Sequence, residues 1–300
     1  MLKFLAIFIM TLDHVGHYFG EFFYQNNLLP VYYILRAVGR LAFPIFAYNL
    51  AKGYRRTRNI LIYGLRLLIF AFVSELILMN VADYVNDLYR INRTYFSPIN
   101  RHPNTLFTLA LGVVAITAWE MLSNSSRDVM VRMEPATEGP STPAPWQFRF
   151  NPGISLNRNT GTILGCLFLL LSGGAALHYN TDYDIYGIIT ILIFHSSLDA
   201  SEEDQKFVAL RRLAVFNALI IAFAAFANET RLLAPNVFYW DPTQGFSVLA
   251  IPLIFGIPES QKRPGNLQKY FFYIYYPLHL AVIMYLTTLI QAPIITAPIP

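Results

Sequence analysis

Apolar residues run through this chain in long stretches that are separated by short polar or proline-rich segments. A helix that crosses a bilayer needs about 20 mostly apolar residues. Nine stretches come close to this length: residues 4–24, 31–52, 60–79, 104–123, 161–178, 185–200, 211–228, 243–258 and 269–291. The sixth and the eighth are short enough to be partly re-entrant. The pattern predicts an all-α, polytopic membrane bundle of about nine membrane-spanning helices.

Basic residues between the predicted spans indicate which side of the membrane each loop faces. Cytoplasmic loops carry an excess of Lys and Arg. The loop after the second span holds the densest basic cluster: Lys52, Arg55, Arg56 and Arg58. This cluster predicts a cytoplasmic N-terminus and an outer C-terminus. Most of the other Lys and Arg residues outside the spans also fall on the cytoplasmic side with this orientation.

Composition narrows the class of protein further. Hydrophobic residues make up 55% of the 300 residues and charged residues only 13%, whereas soluble domains are about 25% charged. We therefore expect one transmembrane domain over residues 1–300, with the bilayer as its surroundings. The net charge of +4 follows the loop topology and does not indicate a nucleic-acid partner. The single cysteine, Cys166, excludes an intrachain disulfide and a metal cluster of cysteines.

One long stretch between spans has a different composition from the rest. Residues 124–160 contain the sequence EPATEGPSTPAPW. A segment rich in Pro, Ser and Thr buries too little apolar surface to form a core. We expect a flexible cytoplasmic loop at about 124–160.

Ionisable residues occur inside the first predicted span, which reads FLAIFIMTLDHVGHYFGEFFY. Asp13, His14 and His17 lie near its middle. An ionisable group at that depth costs about 2.5–3.5 kcal/mol on insertion scales. These residues indicate a proton-handling or nucleophilic site inside the bundle. The alternative is that they only form hydrogen bonds between helices.

Three distant segments place polar residues at a similar depth in the membrane. With a rise of 1.5 Å per residue, Asp13 and His14 in the first span, Arg40 in the second and His279 in the ninth all fall near the midplane. Arg36 lies one turn from Arg40 on the same helical face. Buried charges need partners, so we expect these residues to lie together. Arg40 could simply neutralise Asp13, and His279 could be a packing residue.

Several of these residues lie in motifs through which the chain resembles the TraX family of integral membrane proteins. The resemblance covers most of the chain. It rests on the DH pair at 13–14 and on five segments: LRAVGRLAFPIFAYNLAKGYRRTRN at 35–59, YGLRLLIFAFVSE at 63–75, NTLFTLALG at 104–112, DYDIYG at 182–187 and FYIYYPLHL at 272–280.

The resemblance implies a membrane-embedded acyltransferase. The founding member of the family is associated with N-terminal acetylation of conjugative pilin. The wider group of transmembrane acyltransferases takes acetyl-CoA from the cytosol and delivers the acetyl group to an acceptor on the far side. For this chain the resemblance implies a bacterial inner membrane location, no metal, and a pilin N-terminus or a surface polysaccharide as acceptor.

Carried onto this sequence, the resemblance and the chemistry of acyl transfer give His14, Asp13, Arg40 and His279 as catalytic candidates. His14 is the candidate base, because neutral imidazole titrates near working pH; it could instead carry the acetyl group transiently. Arg40, with Arg36, would stabilise charge on the thioester oxygen. Asp13 could pair with Arg40. His279 is either a second proton carrier or the group that orients the acceptor.

The donor acetyl-CoA is large and anionic. Its phosphates are expected at the cytoplasmic rim near Lys52, Arg55, Arg56 and Arg66, because Arg side chains suit phosphate geometry. Arg36 completes this predicted donor-binding set. The alternative is that Arg55 and Arg56 act only as topology signals.

Two other classes of protein remain open from the sequence. A proton-coupled transporter would also keep Asp, His and Arg inside its spans. The chain lacks the inverted repeat and the matching broken helices that many such folds show. A non-catalytic assembly factor would not need several titratable groups at one depth. Binding of CoA discriminates an acyltransferase from the transporter.

Overall fold

A computed structural model describes residues 1–57, 59–89, 102–123, 129–130, 155–156, 158–230, 242–258 and 266–295. The described chain is almost entirely helical, and the all-α prediction is confirmed. Its helices are α1 Leu2–Tyr18, α2 Gly20–Gln25, α3 Leu29–Gly39, α4 Ala42–Arg56, α5 Ile60–Tyr89, α6 Thr105–Ser123, α7 Arg158–His178, α8 Asp184–Ser197, α9 Gln205–Thr230, a 3-10 helix Pro242–Leu249, α10 Ala250–Gly256 and α11 Asn266–Ile295. Two-residue strands, β1 Val129–Met130 and β2 Ser155–Leu156, pair antiparallel.

Six helical stretches of the described chain are long and apolar enough to cross a membrane. They are Leu29–Arg56, Ile60–Val85, Thr105–Ser123, Arg158–His178, Gln205–Phe226 and Tyr270–Ile290. The remaining predicted spans are shorter or broken. The first is divided between α1 and α2, and the eighth between the 3-10 helix and α10. The sixth is α8, whose 14 residues extend about 21 Å at 1.5 Å per residue, less than a bilayer core of about 30 Å.

Large apolar side chains remain exposed on the outer faces of the long helices. Ile163 is 67% exposed, Leu170 74% and Leu219 64%. Exposure of so much apolar surface to water would be unfavourable, whereas lipid tails solvate it. Length and surface together indicate an integral membrane protein. The cytoplasmic placement of the N-terminus stays a prediction.

The predicted second span is two helices, because the chain turns at residues 40–41 between α3 and α4. Pro44 accounts for the break. Proline has no N–H, so Pro44 cannot donate to the carbonyl of Arg40 four residues earlier. Pro44 lies in the first turn of α4, where a missing N–H is tolerated. The interruption therefore falls at Arg40, one of the predicted site residues.

Helix α5 is longer than the predicted span 60–79, because it continues to Tyr89. The predicted outer loop 80–103 thus begins with helix. Leu78, Ala82 and Val85 are all buried, and their spacing puts them on one helical face. The predicted span ends at residue 79, whereas the buried face of the helix continues to Val85.

The described chain forms two compact units. Unit 1 comprises Met1–Tyr48, Val73–Arg101 and Ser196–Pro300. Within it, α1 packs against α3 and α11, and the 3-10 helix contacts α3, α9 and α10. Unit 1 therefore brings the first and the last helices of the described chain together.

Unit 2 comprises Asn49–Phe72 and His102–His195. Its most extensive packing is between α6 and α7. Ala115, Ala176 and Ile188 form a buried core. The predicted loop 124–160 falls within this part of the sequence and lies largely outside the described residues, and the single-domain prediction for residues 1–300 stays a prediction.

Candidate functional site

The close approach of α1 and α3 depends on two glycines. A Cβ atom added to Gly39 would overlap the side chain of Asp13, and one added to Gly16 would lie 3.0 Å from the Cβ of Leu35. Because neither glycine has a side chain, Asp13 can lie directly against the backbone of α3. Asp13 is 8% exposed, so its charge needs a partner within the protein.

That partner is Arg36 on α3. Arg36 Nη1 donates to Asp13 Oδ1 at 2.6 Å, and the two side chains are 17% and 11% exposed. The distance is typical of a charge-assisted hydrogen bond. The sequence offered Arg40 as a possible partner of Asp13, and the structure shows an ion pair of Asp13 with Arg36, one turn earlier. The pair fixes both helices and balances the buried carboxylate.

His14 follows Asp13 on α1 and meets the last helix of unit 1. His14 Nδ1 lies 2.8 Å from His279 Nε2 on α11. His279 Nδ1 in turn lies 2.9 Å from the backbone oxygen of Tyr275. Residues separated by more than 260 positions are therefore joined in one short hydrogen-bonded chain.

The donors in this chain of hydrogen bonds can be assigned by elimination. A carbonyl oxygen only accepts, so Nδ1 of His279 must carry its proton. In neutral His279 the other nitrogen, Nε2, is then an acceptor, and His14 Nδ1 must donate to it. The lone pair of neutral His14 therefore lies on Nε2. This nitrogen has no hydrogen-bond partner among the described residues, and it is the position at which the pair can take up a proton.

Tyr275 holds His279 in place. The two rings stack with a centroid distance of 4.9 Å and an interplanar angle of 10°. The Tyr275 hydroxyl lies 2.7 Å from Thr11 Oγ1, which donates to the backbone oxygen of Ile7. Thr11 uses its proton in that bond, so the Tyr275 hydroxyl is the donor to Thr11. This anchoring limits rotation of the His279 ring.

Arg40 contacts a residue that the sequence analysis did not single out. Arg40 Nη1 donates to Gln244 Oε1 at 3.3 Å. Gln244 is on the 3-10 helix and is 6% exposed. The hydropathy pattern treats it as an end residue of the predicted span 243–258. A signal for it was present nevertheless, since an amide in an apolar stretch needs a polar partner.

The electrostatic surroundings of His14 include both arginines. Arg36 and Arg40 both lie close enough for their positive charges to act on the His14 ring. His17 is exposed and packs edge-on against Tyr18. The structure thus groups His14, Asp13, Arg36, Arg40 and His279 in unit 1. Their catalytic roles stay predictions.

The other predicted donor-binding residues belong to unit 2. Lys52, Arg55 and Arg56 are on the last turns of α4, and Arg66 is on α5. Arg56 is exposed, and the other three are half-buried. Cations at a helix C-terminus also interact favourably with the helix dipole. The set offers the donors that a phosphate needs, and its role in binding CoA stays a prediction.

Unit 2 contains a second polar group around His195. Arg55 Nη2 donates to the backbone oxygen of His195 at 2.8 Å. His195 Nε2 lies 3.3 Å from Glu120 Oε1, and Tyr54 packs edge-on against the ring. His195 is 2% exposed. In the described part of the chain, no three His, Cys, Asp or Glu residues are grouped so as to hold a metal ion.

Comparisons with known proteins agree with the resemblance of the motifs. The family model described as TraX protein matches residues 1–287. A curated relative, named "Probable fimbrial assembly protein FimC, serogroup H1" from Dichelobacter nodosus, is 23% identical over 286 residues, which cover 94% of this chain and 92% of the relative. No solved structure matches the chain.

Proposed function

The chain belongs to the TraX family, and we propose that it is a membrane-embedded acyltransferase that moves an acetyl group from cytosolic acetyl-CoA to an acceptor amine or hydroxyl. The family and the fimbrial assembly relative point to a pilin-related membrane protein. The acceptor we propose first is therefore the N-terminal amine of a pilin subunit. A surface polysaccharide is the second. Both acceptors would lie on the outer side of a bacterial inner membrane.

The observation that carries the proposal is the ordered pair of histidines. His14 Nδ1 and His279 Nε2 are 2.8 Å apart, and the hydrogen bonds place the lone pair of His14 on Nε2. A base in this form accepts a proton from an attacking amine or hydroxyl without first releasing one. The neighbouring imidazole of His279 accepts the hydrogen bond from the His14 cation that forms. His14 is thus the proposed general base and His279 its supporting partner.

The charged residues around the pair suit the other demands of acyl transfer. Attack on a thioester puts negative charge on the carbonyl oxygen, and a nearby guanidinium stabilises this charge. Arg40 is the proposed source of that stabilisation. The ion pair between Asp13 and Arg36 at 2.6 Å adds no net charge and keeps α1 and α3 in register. His14 is thereby held by a helix that cannot easily shift.

The donor would be recognised through its phosphates. We propose that Lys52, Arg55, Arg56 and Arg66 in unit 2 bind them, since the guanidinium fork and the ammonium group both suit phosphate oxygens. The half-buried position of Lys52, Arg55 and Arg66 would strengthen such contacts relative to fully exposed ones. Replacing two of these cations by neutral residues should weaken the binding of CoA. It should not change the rate at which the acetyl group is transferred from bound acetyl-CoA.

The test measures binding and transfer separately with the full chain in nanodiscs. Acetyl-CoA binding is determined by calorimetry. Transfer is followed with labelled acetyl-CoA and a synthetic peptide that has the N-terminal sequence of a pilin. The variants are His14→Ala and the double variant Arg55→Ala/Arg56→Ala. His17→Ala is the matched control, because His17 lies on the same helix with an exposed ring.

We expect His14→Ala to bind acetyl-CoA and to lose transfer, and the double arginine variant to bind it weakly. The His17→Ala control should behave like the wild type. Transfer that survives in His14→Ala would exclude His14 as the base. Well-folded wild-type protein that binds no acetyl-CoA would exclude the acyltransferase and favour a proton-coupled transporter that uses the same buried groups.

A further inference from the structure

Gln244 lies beside Arg40, and among the described residues only the oxygen of its side-chain amide has a hydrogen-bond partner. Arg40 Nη1 lies 3.3 Å from the side-chain oxygen of Gln244. A guanidinium contains donors only, so the Gln244 atom that faces Arg40 must be the oxygen, and the other terminal atom must be the nitrogen. The contact with Arg40 thus fixes the orientation of the amide.

The amide nitrogen of Gln244 is a buried donor. Gln244 is 6% exposed, and its Nε2 has no hydrogen-bond partner among the described residues. A buried donor without an acceptor opposes folding, and native proteins keep few of them. An acceptor supplied by a bound ligand would satisfy it. The neighbouring guanidinium indicates that this acceptor carries negative charge at some stage of the reaction.

A second buried amide in unit 1 provides a contrast. Asn217 on α9 donates to Ser247 Oγ at 2.9 Å, and both residues are buried. Ser247 is on the same 3-10 helix as Gln244, so Asn217 anchors this helix with its own donor satisfied. The unsatisfied donor of Gln244 is therefore not a general feature of amides at this 3-10 helix. It occurs where the helix meets Arg40.

We propose that Gln244 Nε2 donates to the carbonyl oxygen of the acyl group, so that Gln244 and Arg40 together stabilise the oxyanion. This inference rests on the proposed acyltransferase function and changes one part of it. The sequence paired Arg36 with Arg40 for this task. Arg36 is engaged with Asp13 at 2.6 Å, and Gln244 takes its place.

The nitrogen or oxygen of the acceptor forms a bond to the carbonyl carbon of the thioester, and its proton passes to His14 Nε2. The C=O electron pair moves on to oxygen, where Arg40 and Gln244 donate to it. The C–S bond then breaks, the C=O bond re-forms, and CoA leaves as a thiolate that takes the proton from His14. Donors aimed at the oxygen act most strongly when it is charged.

The test uses Gln244→Glu and Gln244→Met in the full chain in nanodiscs. Gln244→Glu keeps an acceptor for Arg40 and loses the donor, and Gln244→Met removes both at similar volume. Asn217→Ala is the matched control, since it disturbs the same 3-10 helix elsewhere. Each protein is assayed with acetyl-CoA and with acetyl-dithio-CoA, in which sulfur replaces the carbonyl oxygen and accepts hydrogen bonds weakly.

Loss of one oxyanion donor lowers kcat by about 10²–10³-fold in enzymes of this type. We expect both Gln244 variants to show such a loss with acetyl-CoA, with a nearly unchanged KM, and a much smaller loss with acetyl-dithio-CoA. An equal loss with both donors, or the same loss in Asn217→Ala, would make Gln244 a structural residue and overturn the proposal. Wild-type kcat in both Gln244 variants would overturn it while leaving the acyltransferase intact. A wild-type protein that transfers no acetyl group would overturn both the role of Gln244 and the acyltransferase proposal.

Discussion

His14 in unit 1 and His195 in unit 2 are both on apolar helices and have different surroundings. His14 is half-buried, donates to His279, and keeps one ring nitrogen without a partner among the described residues. His195 is 2% exposed, and its Nε2 lies 3.3 Å from the half-exposed Glu120. Its Nδ1 also has no hydrogen-bond partner among the described residues, but it is fully buried. Its backbone oxygen accepts a hydrogen bond from Arg55. The His14 ring is partly accessible and joined to a second histidine, whereas the His195 ring is enclosed.

A buried histidine by itself is a poor marker of a functional site. His14 lies where several independent features coincide. The Asp13–Arg36 ion pair is next to it, a helix break falls at Arg40, and Gln244 keeps a buried donor. The helix break opposes regularity and the buried donor opposes stability, and proteins tend to keep such features where they function. The group around His195 shows no helix break of this kind.

The rate of acetyl transfer should differ most between variants of the two histidines. His14→Gln removes the proposed base, and general base catalysis contributes about 10²–10⁴-fold to rate. We therefore expect kcat for acetyl transfer to fall by that order. His195→Gln should leave kcat close to that of the wild type. The measurement is the initial rate with saturating acetyl-CoA, on equal amounts of protein that elutes as a single species.

An equal loss of kcat in the two variants would contradict the distinction between them. In that case the group around His195 would take part in the reaction. The His14→Gln variant should still bind acetyl-CoA, because the proposed phosphate contacts are made by other residues.

The second effect concerns the free energy of unfolding and compares the Asp13–Arg36 ion pair with the Glu120–His195 contact. Asp13→Asn leaves Arg36 as an uncompensated buried charge, which costs about 3–5 kcal/mol. Glu120→Gln changes a contact with a half-exposed carboxylate, which is worth about 0–1 kcal/mol. We expect this difference in the free energy of unfolding, measured in lipid bicelles.

The double variant Asp13→Asn/Arg36→Met is the internal control for this prediction. Removing both charges should recover most of the lost stability, because no buried charge is then left alone. The double variant could instead lose as much free energy of unfolding as Asp13→Asn and Arg36→Met lose together. The two residues would then not be coupled, and the proposed role of Arg36 in holding Asp13 would be wrong.

The smallest effect tests the packing that brings Asp13 against α3. Gly39→Ala puts a methyl group where the Asp13 side chain lies, and such overpacking costs about 1–3 kcal/mol. Gly174→Ala on α7 is the matched control, since nothing lies within 4 Å of its added Cβ. There the change should be neutral or stabilise the helix by about 0.5–1 kcal/mol. Equal melting temperatures of the two variants would contradict the close approach at Gly39.

The sequence was sufficient to predict the all-α membrane class, because long apolar stretches have a direct physical meaning in lipid. It was also sufficient to single out Asp13, His14, Arg40 and His279, since ionisable groups inside such stretches are rare and costly. The expectation that they share one depth in the membrane followed from helix rise alone. Depth, however, leaves rotation about each helix axis open, so the sequence did not predict the ion pair of Asp13 with Arg36.

The remaining parts of the site depend on tertiary structure. The break at Arg40 needs both Pro44 and the end of α3, and Gln244 reaches Arg40 through a 3-10 helix that no apolar period indicates. The choice of Nε2 as the basic nitrogen of His14 depends on a carbonyl at Tyr275 and on a ring at His279, more than 260 residues away. Sequence determined which residues need partners, because burial of charge is a local cost. Only the packing of α1, α3, the 3-10 helix and α11 decided which partners they have, because hydrogen bonds form over distances that the order of residues does not fix.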